Sequence, residues 1–263
     1  MRERTNVKIN LGLRVLGRRS DGFHDLETLF VPWAGLGDEL EITPASRQGK
    51  VRLIAEPSID WPADKDLCIR AYRALDADWD LPPVEIRLSK GVPTGSGLGG
   101  GSADAAWTLR MLRDMFRLPL SDEDLARYAA SLGSDCPFFI YNHPMLARGR
   151  GEVLEPFDLD LKNYELRVEV PEGVSVNTGE AYRAIDAARA EKTDLDATGQ
   201  SLAEILSLPP EQWRGRLVND FEAPVFAAWP QIAALKESMY ERGAVYAAMS
   251  GSGAAVFGLF PRA

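Results

Sequence analysis

The stretch that most limits what this chain can become is Pro93 to Ala106, which reads PTGSGLGGGSADAA. Glycine takes five of its fourteen positions, and the loop runs straight into Ala103-Asp104-Ala105-Ala106-Trp107-Thr108-Leu109, a helix-forming run. Glycine tolerates positive φ and lets backbone approach a ligand with no Cβ in the way. A helix start carries unpaired N–H groups and a partial positive charge of about half a unit. Joined, the two make a cradle for phosphate oxygens rather than a flexible loop capped by Ser102.

Two common phosphate loops fail to fit it. Gly95, Gly97 and Gly100 satisfy G-x-G-x-x-G, but a dinucleotide site needs that pattern after the first strand of a βαβ series. Here some ninety residues of mostly strand-like sequence come first. The spacing from Gly95 to Ser102 resembles a P-loop, yet Gly101 stands where the lysine belongs. The phosphate charge must therefore be met by backbone N–H groups and a cation from elsewhere in the chain.

The 263 residues suffice for one large or two moderate domains. A net charge of −9 and a pI near 4.9 argue against a nucleic-acid or anionic-membrane partner. The apolar runs are too short to span a bilayer, and no signal-peptide core follows Met1-Arg2-Glu3-Arg4. Cys68 and Cys136 stand in unrelated contexts and suit reduced thiols. With two histidines and no C-x-x-C, a transition-metal site is not expected. The expectation is a cytoplasmic α/β protein.

Along the chain, residues 7–15 alternate, with Val7, Ile9, Leu11 and Leu13 on one side and Lys8, Asn10 and Gly12 on the other. A solvated polar face would explain that lysine equally well. A turn is expected at Asp21-Gly22, with Phe23 and His24 just after it as a candidate flat-ring pair. Strands are expected at 26–31, 38–43, 51–55 and 84–88, and helices at 66–78, 103–116 and 121–132. Ser121 and Asp124 form a capping box for the last of these. Asp135 then falls between a helix end and 136–140, which reads as strand; it either caps local N–H groups or is used chemically. Residues 148–160 read as a passage between domains, 164–170 as a strand, 179–190 and 230–241 as helices, and 191–215 as polar helix and loop. Residues 244–249 and 254–259 form a strand pair around Ser250-Gly251-Ser252-Gly253, either a plain hairpin or a backbone lining the phosphate site.

Three of these stretches, the lysine-bearing first strand, the glycine loop and the late SGSGAAVFG turn, resemble the GHMP small-molecule kinases. KINLGLRV, DGFHDLETLF and GSDCPFF make the chain similar to the branch that phosphorylates a cytidine diphosphate-linked alcohol in the non-mevalonate route to isoprenoid precursors. The resemblance runs from Val7 to Phe260. It implies a two-domain α+β/α/β fold, the N-terminal half (1–157) like the ribosomal S5 second domain and the C-terminal half (158–263) ferredoxin-like. It implies ATP on Pro93, Thr94, Gly95, Ser96, Gly97, Leu98, Gly99, Gly100, Gly101, Ser102 and Ala103, with Asp66 beside the adenine. The cytidyl substrate would lie between the domains on Asn10, Phe23, His24, Thr178 and Tyr182. His24 would bond the cytosine edge, and Phe23 and Tyr182 would supply flat faces. Lys8 and Asp135 match the catalytic pair, Mg²⁺ is expected with ATP, and Ser102 is the candidate ligand. Partners would be small molecules only, and the chain a monomer or weak homodimer.

Phosphoryl transfer requires alignment and charge neutralisation more than covalent catalysis. Asp135 suits the proton acceptor, and Lys8 suits the cation that Gly101 does not provide. This sequence departs from common members at Phe23, where Tyr is frequent, at Asp66, where Asn is frequent, and in the Thr5-Asn6-Val7 lead to Lys8. The competing readings are a GHMP kinase for homoserine, mevalonate or a sugar, and a nucleotide-binding regulator without turnover. DGFHDLETLF opposes the first, and the presence of both Lys8 and Asp135 opposes the second.

Overall fold

The computed structural model describes residues 1–46, 49–59, 61–190 and 200–262. In chain order the elements are β1 (Arg2–Arg4), β2 (Val7–Arg18), β3 (His24–Trp33), β4 (Glu39–Pro44), β5 (Val51–Glu56), α1 (Leu67–Trp79), β6 (Val84–Ser89) and α2 (Gly100–Phe116). Then come α3 (Asp122–Leu132), α4 (Cys136–Tyr141), β7 (Met145–Gly149), β8 (Val153–Pro156), β9 (Tyr164–Glu169), α5 (Thr178–Ala190), α6 (Leu202–Leu206), α7 (Glu222–Ala228), α8 (Pro230–Glu241), β10 (Tyr246–Met249) and β11 (Val256–Pro261).

The chain divides into two compact units that share it in alternating stretches. The first takes Met1–Lys8, Pro32–Pro93 and Gly99–His143. Its sheet has the order β1-β4-β6-β5, antiparallel except for the parallel β5–β6 pair. Helices α1 to α4 pack on one another in the same unit. Helix α3 opens with the expected capping box, Ser121 and Asp124 each bonding the other's backbone N–H.

The second unit takes Ile9–Val31, Thr94–Leu98 and Pro144–Ala263. It holds the sheet β2-β3-β7-β8 and the antiparallel sheet β10-β11-β9. Its core gathers Leu13, Val15, Ile185, Phe221, Ile232, Met239, Met249 and Val256. A parallel bridge between Leu13 and Asn219 ties β2 to the segment before α7.

Four expectations need correction. Residues 136–141 are helix, not strand. The run is buried from Cys136 to Ile140, so it shows no period, and Pro137 at the helix start suits a first turn. Helix α2 begins at Gly100 rather than 103, with Gly99 as N-cap and Ser102 inside the first turn. Residues 148–156, read as a passage between domains, belong to the antiparallel β7–β8 pair. The polar side of β2 is not solvated, since Lys8 and Asn10 are 4% and 2% exposed. Of the polar stretch 191–215, residues 191–199 lie outside the described residues, and α6 occupies part of the rest.

Candidate active site

In the first unit, Lys8 near the start of β2 places Nζ 3.5 Å from Asp135 Oδ2. Burial pushes the Lys8 ammonium below the usual lysine range, and the Asp135 carboxylate pulls it part of the way back. Asp135 directly precedes α4 but makes no side-chain cap to it, so the capping alternative is excluded. Its side chain is about one-third exposed, against 5% for Lys8. A chain of hydrogen bonds braces the pair: Trp107 Nε1 donates to Asn6 Oδ1 at 3.2 Å, and Asn6 Nδ2 to Asn142 Oδ1 at 2.9 Å. The ends of β2 and α4 are thereby held through α2.

The glycine loop reaches this pair directly. Gly99 has φ +74°, and a Cβ there would sit 3.1 Å from the Phe139 ring and 3.3 Å from Lys8 Cε. The loop backbone can lie over the lysine stem only because position 99 has no side chain. Gly100 is similarly pressed against Val92. No side chain caps α2, so the first N–H groups of Gly100, Gly101 and Ser102 face away from any side-chain acceptor of that kind. Ser102 hydrogen-bonds the Cys136 thiol, which burial pushes up to about 12. Ala103 is buried and Pro93 exposed.

The earlier half of the loop is held in the second unit, where four successive carbonyls are taken by protein donors. Thr94 O accepts from Ser175 Oγ at 3.4 Å, Gly95 O from Val176 N at 3.3 Å, Ser96 O from Ala255 N at 2.9 Å and Gly97 O from Ser250 Oγ at 3.1 Å. Gly95 and Gly97 have φ +70° and +76°, and a Cβ on Gly97 would lie 2.2 Å from Ser250 O. Leu98 is fully buried. The late glycine turn is thus both a hairpin, β10–β11, and a wall for the loop. Asn219 fixes that turn, donating to Met249 O and Gly251 O at 2.8 Å each.

Also in the second unit, the turn at Asp21-Gly22 forms as expected, with Gly22 at φ +87° and Phe23 N donating to Asp21 Oδ1. Phe23 is 52% exposed, with the Arg150 guanidinium 4.8 Å from its ring centre. His24 opens β3 and is buried. Its Nε2 lies 2.7 Å from Asp186 Oδ1, and its ring stacks on Tyr182 at 4.6 Å and 15°. Tyr182 meets Phe221 edge-on at 4.9 Å. Asn10 Nδ2 donates to Thr28 Oγ1, and Thr178 Oγ1 lies 2.9 Å from Ser252 Oγ.

Asp66 is a buried N-cap of α1, accepting from Cys68 N at 2.8 Å and Trp61 Nε1 at 3.1 Å. In the first unit, Lys90 bonds both Asp38 and Asp104, and Asp104 Oδ1 is buried without a partner. Burial lifts the Asp104 carboxyl to about 8, against the pull of Lys90. Sequence reasoning missed Asp186, Asn219, Arg150 and the Lys90 cluster. Asp186 had one usable signal, its place one helical turn after Tyr182 on the same face.

Comparison with known proteins agrees with this layout. Family models for the GHMP kinases N terminal domain and the GHMP kinases C terminal match residues 66–143 and 184–263. The 4-diphosphocytidyl-2-C-methyl-D-erythritol kinase of Azobacteroides pseudotrichonymphae is 43% identical over 98% of this chain and 92% of its own. That of Parabacteroides distasonis is 45% identical over 98% of this chain and 90% of its own. A crystal structure of a 4-(cytidine 5'-diphospho)-2C-methyl-D-erythritol kinase superposes with a TM-score of 0.77 at 34% identity, covering 98% of this chain and 90% of the other. With both of its halves matched and near-complete relatives well above 30% identity, this chain belongs to the GHMP kinase family, whose members use ATP to phosphorylate small molecules.

Proposed function

We propose that this chain transfers the γ-phosphoryl group of ATP to the 2-hydroxyl of 4-diphosphocytidyl-2-C-methyl-D-erythritol. The observation that carries the reading is the Lys8–Asp135 pair, packed beside Gly99 with the carboxylate free of any capping duty. Asp135 accepts the hydroxyl proton as the oxygen bonds to the γ-phosphorus; the bond from that phosphorus to the β–γ bridging oxygen breaks, and ADP leaves. The Lys8 ammonium orients the hydroxyl and offsets the negative charge gathering on the transferred group. With no side chain capping α2, the N–H groups of Gly100, Gly101 and Ser102 at its start are the ones offered to the triphosphate. Phe23, His24, Tyr182, Asn10 and Thr178 hold the cytidyl end, and Asp66 braces the adenine side through α1.

No group of three or more His, Cys, Asp or Glu side chains among the described residues could hold a metal ion. That donor set fits Mg²⁺ carried in by phosphate oxygens and water, with Ser102 Oγ, here bonded to the buried Cys136 thiol, as the protein's contribution. Bound there, Mg²⁺ would supply charge neutralisation to the phosphates. The net charge of −9 and two free buried thiols support work in the cytoplasm on small molecules. No described helix is long and apolar enough to cross a membrane. The two family matches cover 66–143 and 184–263, while the second compact unit runs unbroken across 157/158, from Pro144 to Ala263.

The test is ADP release with Mg·ATP and four acceptors: the cytidyl substrate, homoserine, mevalonate and galactose. Turnover confined to the cytidyl substrate is the expected result. Turnover with another acceptor instead would overturn the substrate assignment and keep the fold.

A further inference from the structure

The imidazole of His24 is fixed in two ways at once. Tyr182 sets its plane by stacking at 4.6 Å and 15°, and Tyr182 is itself backed edge-on by Phe221. Asp186, one turn further along α5, sets the ring's rotation through the 2.7 Å contact with Nε2. An ionised carboxylate only accepts hydrogen bonds, so the nitrogen facing it carries the proton. In the neutral ring the other nitrogen, Nδ1, is then a bare acceptor. Nδ1 has no protein partner among the described residues and is not among the enclosed unsatisfied atoms, so it is open to solvent or ligand.

We infer that Asp186 determines pyrimidine specificity: by imposing the Nε2–H tautomer on His24, it leaves Nδ1 as an acceptor that takes cytosine's amino group and repels uracil's carbonyl oxygen. This rests on the reading above that His24 meets the base. Cytosine and uracil differ at C4 in donor against acceptor, so a fixed acceptor separates them where a rotating or tautomerically mixed ring does not. Asp186 is a positioning residue; it acts on the base through His24.

The experiment pairs kinetics with nitrogen NMR on the full chain. Wild type and Asp186→Ala are assayed with the cytidyl substrate and its uridyl counterpart, with KM for ATP measured alongside. A good base contact discriminates by roughly 1–3 kcal/mol, so wild type should prefer the cytidyl substrate by about 10–100-fold in kcat/KM. In Asp186→Ala that ratio should fall at least about tenfold through KM for the cytidyl substrate, with ATP KM unchanged. The chain has two histidines, so ¹⁵N shifts assign His24 readily: Nε2–H is expected in wild type and a mixture in the variant. A wild-type ring protonated only at Nδ1 overturns the inference even if the variant fails to fold. So does a cytidyl-to-uridyl ratio that survives in a variant with normal ATP KM. Wild type that turns over neither pyrimidine substrate brings down the functional reading as well, which separates the two failures.

Discussion

Asp135 stands before α4 yet accepts nothing from that helix, while Lys8 faces it across 3.5 Å from a buried position. A carboxylate not spent on capping its helix keeps lone pairs available for a substrate proton beside the Lys8 contact. Asp135→Asn should lower kcat by about 10²–10⁴, the usual contribution of a positioned base, and leave ATP KM nearly unchanged. Because burial lowers the Lys8 ammonium, the alkaline loss of activity should begin below the ordinary lysine value of 10.5. Removing the Asp135 charge removes what holds that ammonium up, so the limb should move lower still in the residual activity of Asp135→Asn. A pH–rate profile of both proteins checks the pair; near-normal turnover of the variant would sink the assignment. Both residues could be picked out in the sequence, Asp135 by its odd setting and Lys8 by the resemblance of its stretch to the family. Their burial could not, because a period of two says which residues share a face and nothing about what covers it.

At the scale of elements, the capping box of α3 was legible because its cause is local. Helix α4 was not, since a short run buried throughout carries no period, and its helical state is decided by packing against α2 and α3. The start of α2 also escaped notice: glycines at 100 and 101 argue against helix by propensity, and the close packing of Gly100 against Val92 is invisible in the sequence. Inside α2 lies Asp104, whose carboxyl is lifted to about 8 from an ordinary 3.8. The folded state therefore keeps a proton that the unfolded chain releases, so this group's contribution is fully present below about pH 3.8 and is lost as pH rises toward 8. Wild type should lose a few degrees of Tm per pH unit across that window. Asp104→Asn should flatten the decline, with Lys90 still held by Asp38. Parallel calorimetric pH series would show it, and equal slopes would refute it.

For the whole molecule, the sequence shows a glycine loop and a late glycine turn, and both are there. What it hides is the way the chain alternates between units, with Thr94–Leu98 assigned to one and Gly99 onward to the other. Such pairing depends on residues far apart in sequence, and periodicity reports only on neighbours. Gly97 tests whether that long-range packing serves ATP. Saturating ATP at about 100 times its Kd should stabilise wild type by about 2.7 kcal/mol, read as a rise of roughly 5–10 °C in Tm. In Gly97→Ala, whose Cβ would strike Ser250 O from a positive-φ position, that rise should vanish; an undiminished shift would separate the loop from nucleotide binding.

The carbonyl of Thr94 waits for a donor 81 residues later, and that of Gly97 for one 153 residues later. On a ribosome adding about 5–20 residues per second, the glycine loop therefore emerges on the order of ten seconds before the turn that braces it. A nascent chain carries the motif without the cradle. On the proposed reading of the loop as the ATP site, nucleotide competence arrives with the last two strands, and a stalled or truncated product carries the loop without its brace.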